Sequence, residues 1–307
     1  MLTATRLTYR INRFEIRAIL VTTALSVAVS AIVLTWIRSS GYIECVNASD
    51  SPSVACLGLQ GIGGWATRIA RMSSQLAGFF PVLAGLLLGA PLIARELDKG
   101  TARLAWSLGP SRLRWYVQRV LPILVVVTAT AMVIGVVAEH LIALFEPDVD
   151  LASSFIGFHN RGVILATSAL LLASVAVAVG AVVGRQIPTL LLALILGGAT
   201  LLAIGEVDRK LLVSESVRLT GDNPYSNDLV TDQGRFELPD GSLVTWDELV
   251  ANDPTVLEAG YDYPYVEFGI PRERYREIET REAVAEVVLS LGFLAAGAVV
   301  VGRRRPG

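Results

Sequence analysis

Apolar residues in this chain come in long unbroken runs separated by short charged segments. Charge-free stretches of 20, 23, 19, 23 and 20 residues lie between Arg17 and Arg38, Arg71 and Arg95, Arg119 and Glu139, Arg161 and Arg185, and Arg185 and Glu206. A sixth run, 283–302, is 20 residues long and holds a single charge, Glu286. A hydrocarbon core of roughly 30 Å takes about 20 apolar helical residues, so each run is long enough to cross a bilayer. The pattern predicts an all-α polytopic membrane protein with six transmembrane helices.

The composition agrees. Of 307 residues, 53% are hydrophobic and 18% charged, with a mean hydropathy of +0.56. That balance argues against a soluble enzyme, a secreted disulfide scaffold and a nucleic-acid binder. The net charge of −2 hides a strong asymmetry between segments. Segments 1–17, 95–119, Arg185 and 303–307 hold 14 Lys/Arg and 3 acids. The alternate segments 38–71, 139–161 and 206–282 hold 12 basic and 24 acidic residues, and 8 of those basic residues lie in the long third segment. Positive charge in short loops marks the cytoplasmic side, so both termini are expected in the cytoplasm of a multi-pass protein of the cell membrane. The first run is read as an uncleaved anchor, because it ends in Trp36-Ile37-Arg38 without a small-x-small cleavage site. Residues 1–17 mix Leu2, Leu7, Ile11, Phe14 and Ile16 with arginines, as an interfacial helix or as topology charges alone.

Small residues recur inside the spans, at Gly85 and Gly89, at Gly180 and Gly184, and at Gly197-Gly198. Such spacing lets helix backbones approach closely, within one chain or between protomers. Pro81, Pro91 and Pro122 predict kinks or helix ends. Arg185-Gln186-Ile187-Pro188 leaves room only for a tight hairpin between spans four and five. No span carries an Asp, Lys or Arg near its middle, which disfavours an ion-coupled carrier. The chain has no phosphate loop, zinc motif or nucleophile elbow, and His140 and His159 suggest no metal site. Chemistry is therefore expected on a partner.

The segment between spans two and three has the most local information. Gly100 is placed to stop one helix, Thr101 to cap the next, and Gly109-Pro110 to end it, while Ser111 caps the helix leading into span three. A short helix across the inner membrane surface results, offering Leu104, Trp106 and Leu108 for contacts. A plain basic loop at the lipid headgroups is the simpler alternative.

The order Glu96, Gly100-Thr101, Pro110-Ser111-Arg112 and Arg119 resembles the type-two ATP-binding-cassette permease family, as do the six spans, the basic N-terminal segment and the short fourth hairpin. The resemblance implies a non-catalytic permease subunit of an exporter for drugs, lipids, glycans or peptides. It implies a cytoplasmic ATPase partner that holds the ATP, and a second permease chain, identical or different, beside it in the membrane lipid. The 94–112 segment, within the loop 94–119, would be the coupling helix, with Glu96 helping to fix the helix that carries it. No cofactor on this chain and no nucleic-acid partner are expected.

The expected domains are a membrane part at 1–205, an extracytoplasmic insertion at 206–282, and the sixth span with its basic tail at 283–307. The 77-residue insertion is longer than the compact outer loop common in the family. It reads as a small mixed α/β unit, with a hairpin at 236–245 around Asp240-Gly241, an edge position implied by Pro239, and a short helix from Trp246. Pro271 opens a helix running into span six, with Glu277 placed four before Arg281. Tyr261, Tyr263, Tyr265 and Phe268 read as a ligand face or as ordinary interfacial packing. Trp65, Ile69 and Met72 suggest an amphipathic helix on the outer surface. Cys45 and Cys56, with ten residues between them in one outer loop, are expected to form a disulfide, the alternative being two free thiols. A membrane-bound sensor or regulatory subunit that uses 206–282 to bind an outside ligand is the second functional reading.

Overall fold

The computed structural model describes residues 13–41, 75–108, 111–145, 150–219, 228–231, 234–252 and 264–304, with isolated positions at 65, 68–69 and 72–73. Cys45, Cys56, Tyr261 and Tyr263 lie outside the described residues. Among the described residues, six helical stretches are long and apolar enough to cross a membrane: Arg13–Ser39, Gln75–Asp98, Arg112–Ala143, Gly162–Val183, Gln186–Glu215 and Arg272–Arg303. We refer to them as spans one to six. Residues 1–12 of the N-terminal segment lie outside the described residues, and 13–17 open the continuous helix α1 (Arg13–Ser39).

The chain forms two compact units. The first comprises 1–148, 157–199 and 279–307, and the second 149–156 and 200–278. Within the first unit, span four (helix Gly162–Val183) is the central element. It is buried over 78% of its most apolar window, against 17% for span five. Its Ala-, Val- and Gly-rich sequence explains this, because small side chains let neighbours approach on every side. Span three buries Tyr116, Val120, Ile123, Val127, Ala131, Ile134, Ala138 and Leu141, a repeat of three and four residues that keeps one helix face turned to the core.

Span two is interrupted. A short helix, α2 (Phe80–Ala84), leads through a π-turn at Gly85–Gly89 into α3 (Ala90–Asp98). Pro91 lacks an N–H and its ring crowds the carbonyl four residues back, so a widened turn just ahead of it accommodates the lost hydrogen bond. The two glycines bounding that turn face span four. A Cβ on Gly89 would stand 2.9 Å from the Ala173 carbonyl oxygen and 3.0 Å from the Ala176 Cβ. One on Gly85 would stand 3.0 Å from the Leu172 backbone, and one on Gly180 3.2 Å from the Ala90 carbonyl. The small-residue spacing thus serves packing between spans two and four of one chain. Gly184 ends span four with φ +66, and span five begins at Gln186, which makes the expected tight hairpin.

The second unit is mixed α/β. Strands β1 (Val217–Leu219), β2 (Leu229–Val230), β3 (Arg235–Glu237), β4 (Leu243–Val244) and β5 (Tyr265–Ile270) pair antiparallel in the order β1-β5-β3-β4, with β2 also on β5. The hairpin around Asp240-Gly241 forms as expected. Its first strand, however, is interior rather than at an edge. Pro239 sits in the turn, where no ladder N–H is needed. The helix Trp246–Asn252 starts with a reciprocal cap: Thr245 N–H donates to Glu248 Oε2 at 2.9 Å, and Glu248 N–H donates to the Thr245 hydroxyl at 3.3 Å. Those bonds from Thr245 hold the Glu248 carboxyl below its usual range, so the cap is complete at neutral pH and weakens only as pH falls through that lowered value. Phe236 and Leu249 form a small core, with Trp246 and Tyr265 rings 5.6 and 5.3 Å from Phe236. Tyr265 thus packs its ring on Phe236 while remaining 56% exposed. Glu277 pairs with Arg274 at 2.8 Å. Trp65, Ile69 and Met72 are exposed.

These contacts separate two glycines by sign. Gly89→Ala drives a methyl into backbone, and we expect destabilisation of about 1–3 kcal/mol. Gly292→Ala meets nothing within 4 Å and should stabilise by roughly 0.5–1 kcal/mol through helix propensity. Unfolding of the purified variants in graded denaturing detergent measures both, and equal effects would refute the packing assignment.

Candidate functional site

The segment joining spans two and three forms the helix Thr101–Leu108, labelled α4, between α3 and the helix Arg112–Phe145 of span three. Local chemistry sets its ends. Gly100 has φ +70, a conformation that other residues rarely adopt, and its N–H donates to the Leu97 carbonyl at 3.2 Å. Thr101 acts backwards: its hydroxyl donates to the Glu96 carbonyl at 3.2 Å, closing the end of span two instead of capping α4. Ser111 caps as expected, its hydroxyl accepting from the Arg114 N–H at 3.2 Å. Gly109 and Pro110 lie outside the described residues, as does the Leu108 side chain.

The two helices flanking α4 are joined by an ion pair. Arg119 Nε stands 3.0 Å from Glu96 Oε1, and both side chains are about nine-tenths buried. Glu96 is on the last turn of span two and Arg119 two turns into span three, so the pair sets the angle at which the chain enters and leaves α4. Charges this buried hold together only while both partners remain.

The faces of α4 differ. Ala102 is fully buried, whereas Leu104 is 64% exposed. Trp106 is half-buried and turned toward the membrane unit, its ring edge-on to Trp115 at 5.6 Å and beneath the Arg112 guanidinium at 5.1 Å. Arg112 also donates to the Gly302 carbonyl at 3.2 Å and to the Arg304 carbonyl. Arg304 in turn donates to the Ala181 carbonyl at 3.1 Å, and Arg95 pairs with Glu15 at 3.2 Å. Tyr116 donates to the Leu294 carbonyl at 3.2 Å, a contact that leaves only 2.7 Å between its hydroxyl and a Cβ built on Gly297.

The described residues of this loop lie around α4 and contact the ends of spans one, four and six. Trp115, Tyr116 and Arg304 were not among the predicted residues. Aromatic residues at a span entrance and a basic tail were visible signals, but their partners come from distant parts of the chain. Among the described residues no cluster of His, Cys, Asp or Glu fits a metal.

A family model described as ABC-2 membrane transporter related matches residues 16–209, from the first span into the fifth and across this whole loop. No curated protein and no solved structure matches the chain.

Removing one member of a buried ion pair strands the other. Glu96→Ala and Arg119→Ala should each destabilise the chain by about 3–5 kcal/mol. A paired replacement, Glu96→Leu with Arg119→Met, should recover most of that loss. Additive losses in the double variant, read by thermal unfolding of the purified protein, would show that the pair has no mutual role.

Proposed function

This chain belongs to the ABC-2 membrane transporter related family, and we propose that it is the permease subunit of an ATP-driven exporter, coupled to a separate ATPase chain through α4. The exposed Leu104 on a short helix braced at both ends is the observation that carries this reading. A groove on a soluble partner takes an apolar anchor standing out from a rigid base. Trp106 is already engaged within this chain, so it serves to brace α4 rather than to enter the partner. Force applied to α4 would pass through Arg112 and Trp106 to spans three and six, and through Glu96–Arg119 to span two.

The charge asymmetry supports an orientation with α4 and both termini cytoplasmic and 206–282 outside. The absence of a phosphate loop from the sequence supports an ATP-binding partner. Family kinship supports a complex of two permease chains, identical or different, with two ATPase domains, in a cell membrane. A sensor or regulatory role for the acidic 206–282 segment is the second reading, supported by its 18 acidic residues.

Leu104→Asp should weaken capture of the ATPase at least tenfold if Leu104 is a buried anchor, on the scale of about 2 kcal/mol. It should leave the permease folded, because the side chain is exposed. Pulldown of the co-expressed ATPase, together with its hydrolysis rate with and without the permease, reads the effect. Wild-type binding and stimulation by Leu104→Asp would favour the sensor reading instead. With Cys45 and Cys56 replaced by serine, cysteines at residue 2 and Ser242 test the orientation: an impermeant thiol reagent should label only Ser242→Cys in intact cells.

A further inference from the structure

Glu286 is the one charge in the sixth apolar run, and it is 1% exposed. Among the described residues its carboxylate is bonded by hydroxyls from span four. Ser168 donates to Oε1 at 2.6 Å, and the Thr167 hydroxyl contacts Oε2. Ser290, one turn on, donates to the Glu286 carbonyl at 2.7 Å. The nearby charges are Glu282, one turn before it and buried, and His159, which stands 3.2 Å from one oxygen of Glu282. The other Glu282 oxygen is buried and has no hydrogen-bond partner among the described residues. A carboxylate held at membrane depth by neutral hydroxyls is costly, and such a residue marks a binding path more often than a structural one.

Beside it runs a groove of about 650 Å³ between spans three, four and six. Its walls are almost wholly apolar, formed by residues such as Leu124, Leu170 and Leu294. Two of its few polar lining groups are Thr167 and Ser290, the same residues that touch Glu286. The carboxylate therefore stands one hydroxyl away from a hydrocarbon-lined space. Apolar walls suit an alkyl chain, and the Glu286 carboxylate behind Thr167 suits a cationic head.

We propose that this groove binds a cationic amphiphile, with its chain against spans three and six and its ammonium N–H donating to Thr167 Oγ1. Thr167 passes the contact on by donating its own proton to the Glu286 carboxylate. The ammonium thereby offsets the buried charge without any movement of Glu286. That the groove serves a cargo rests on the permease reading above, whereas binding to it does not. The test accordingly uses the full chain alone, without ATPase or nucleotide.

The probe is an alkylamine carrying a diazirine on its chain, photolysed with the purified protein in nanodiscs of neutral lipid. Cross-links are expected in peptides containing Leu124, Leu170 or Leu294, with protection by excess dodecylammonium and much less by dodecanol. Glu286→Gln, which keeps the side chain's shape, should lower labelling by about tenfold, the loss of one charge-assisted contact. Thr167→Val should also lower labelling, and Thr167→Ser should retain it. Equal protection by dodecanol would mean that the groove takes lipid chains without regard to charge, and would overturn the proposal. Unchanged labelling of Glu286→Gln would do the same. Should that variant not fold, equal labelling of Thr167→Val and Thr167→Ser decides against the relay.

Discussion

Spans two and four touch backbone to backbone because Gly85, Gly89 and Gly180 present no side chain at the contact. Most of the membrane unit follows from that approach. It places a nearly all-buried helix at the centre, against which span three lays its regular stripe from Tyr116 to Leu141. In a bilayer, apolar surface gains little from leaving lipid, so close packing must hold the helices together. Methyl and hydrogen side chains make that packing dense. The π-turn at Gly85–Gly89 belongs to the same solution, since it accommodates Pro91 where the two helices are closest.

The contact also fixes where span two ends, and with it the site. Span two delivers Glu96 beside Arg119, whose ion pair joins the helices on either side of α4. The positive φ of Gly100 then turns the chain sharply, and Ser111 starts the next helix. The result is a short helix that, among the described residues, exposes Leu104 and engages Trp106. Rigidity matters for the proposed coupling. A flexible loop would absorb a partner's movement, whereas a braced helix passes it to the spans that hold it.

Glu286 shows the opposite economy. The helices elsewhere keep their hydroxyls on their own backbone, as Thr130 and Ser174 do with carbonyls four residues back. The Thr167 hydroxyl also lies within bonding distance of the Val163 and Ile164 carbonyls, but it and Ser168 reach across to another span as well. Two such hydroxyls do not neutralise a charge, and an apolar groove opens directly beside them. Stability alone gives no reason for this arrangement. A recognition site for a cation does.

Features governed by local rules were legible in the chain itself. Helix rise and bilayer thickness turn six apolar runs into six spans, and short-range chemistry marks the stop at Gly100, the cap at Ser111, the turn at Asp240-Gly241 and the helix after Thr245. Those features depend on residues within a few positions of one another. The tertiary structure alone decided which side of each span is buried. A helix apolar all round carries no amphipathic signal, so nothing in the sequence said that span four is central or that Trp106 turns inward. The same holds for long-range partners. Glu96 meets Arg119, Tyr116 meets Leu294, and Glu286 meets Thr167 only after whole helices have chosen their neighbours by shape.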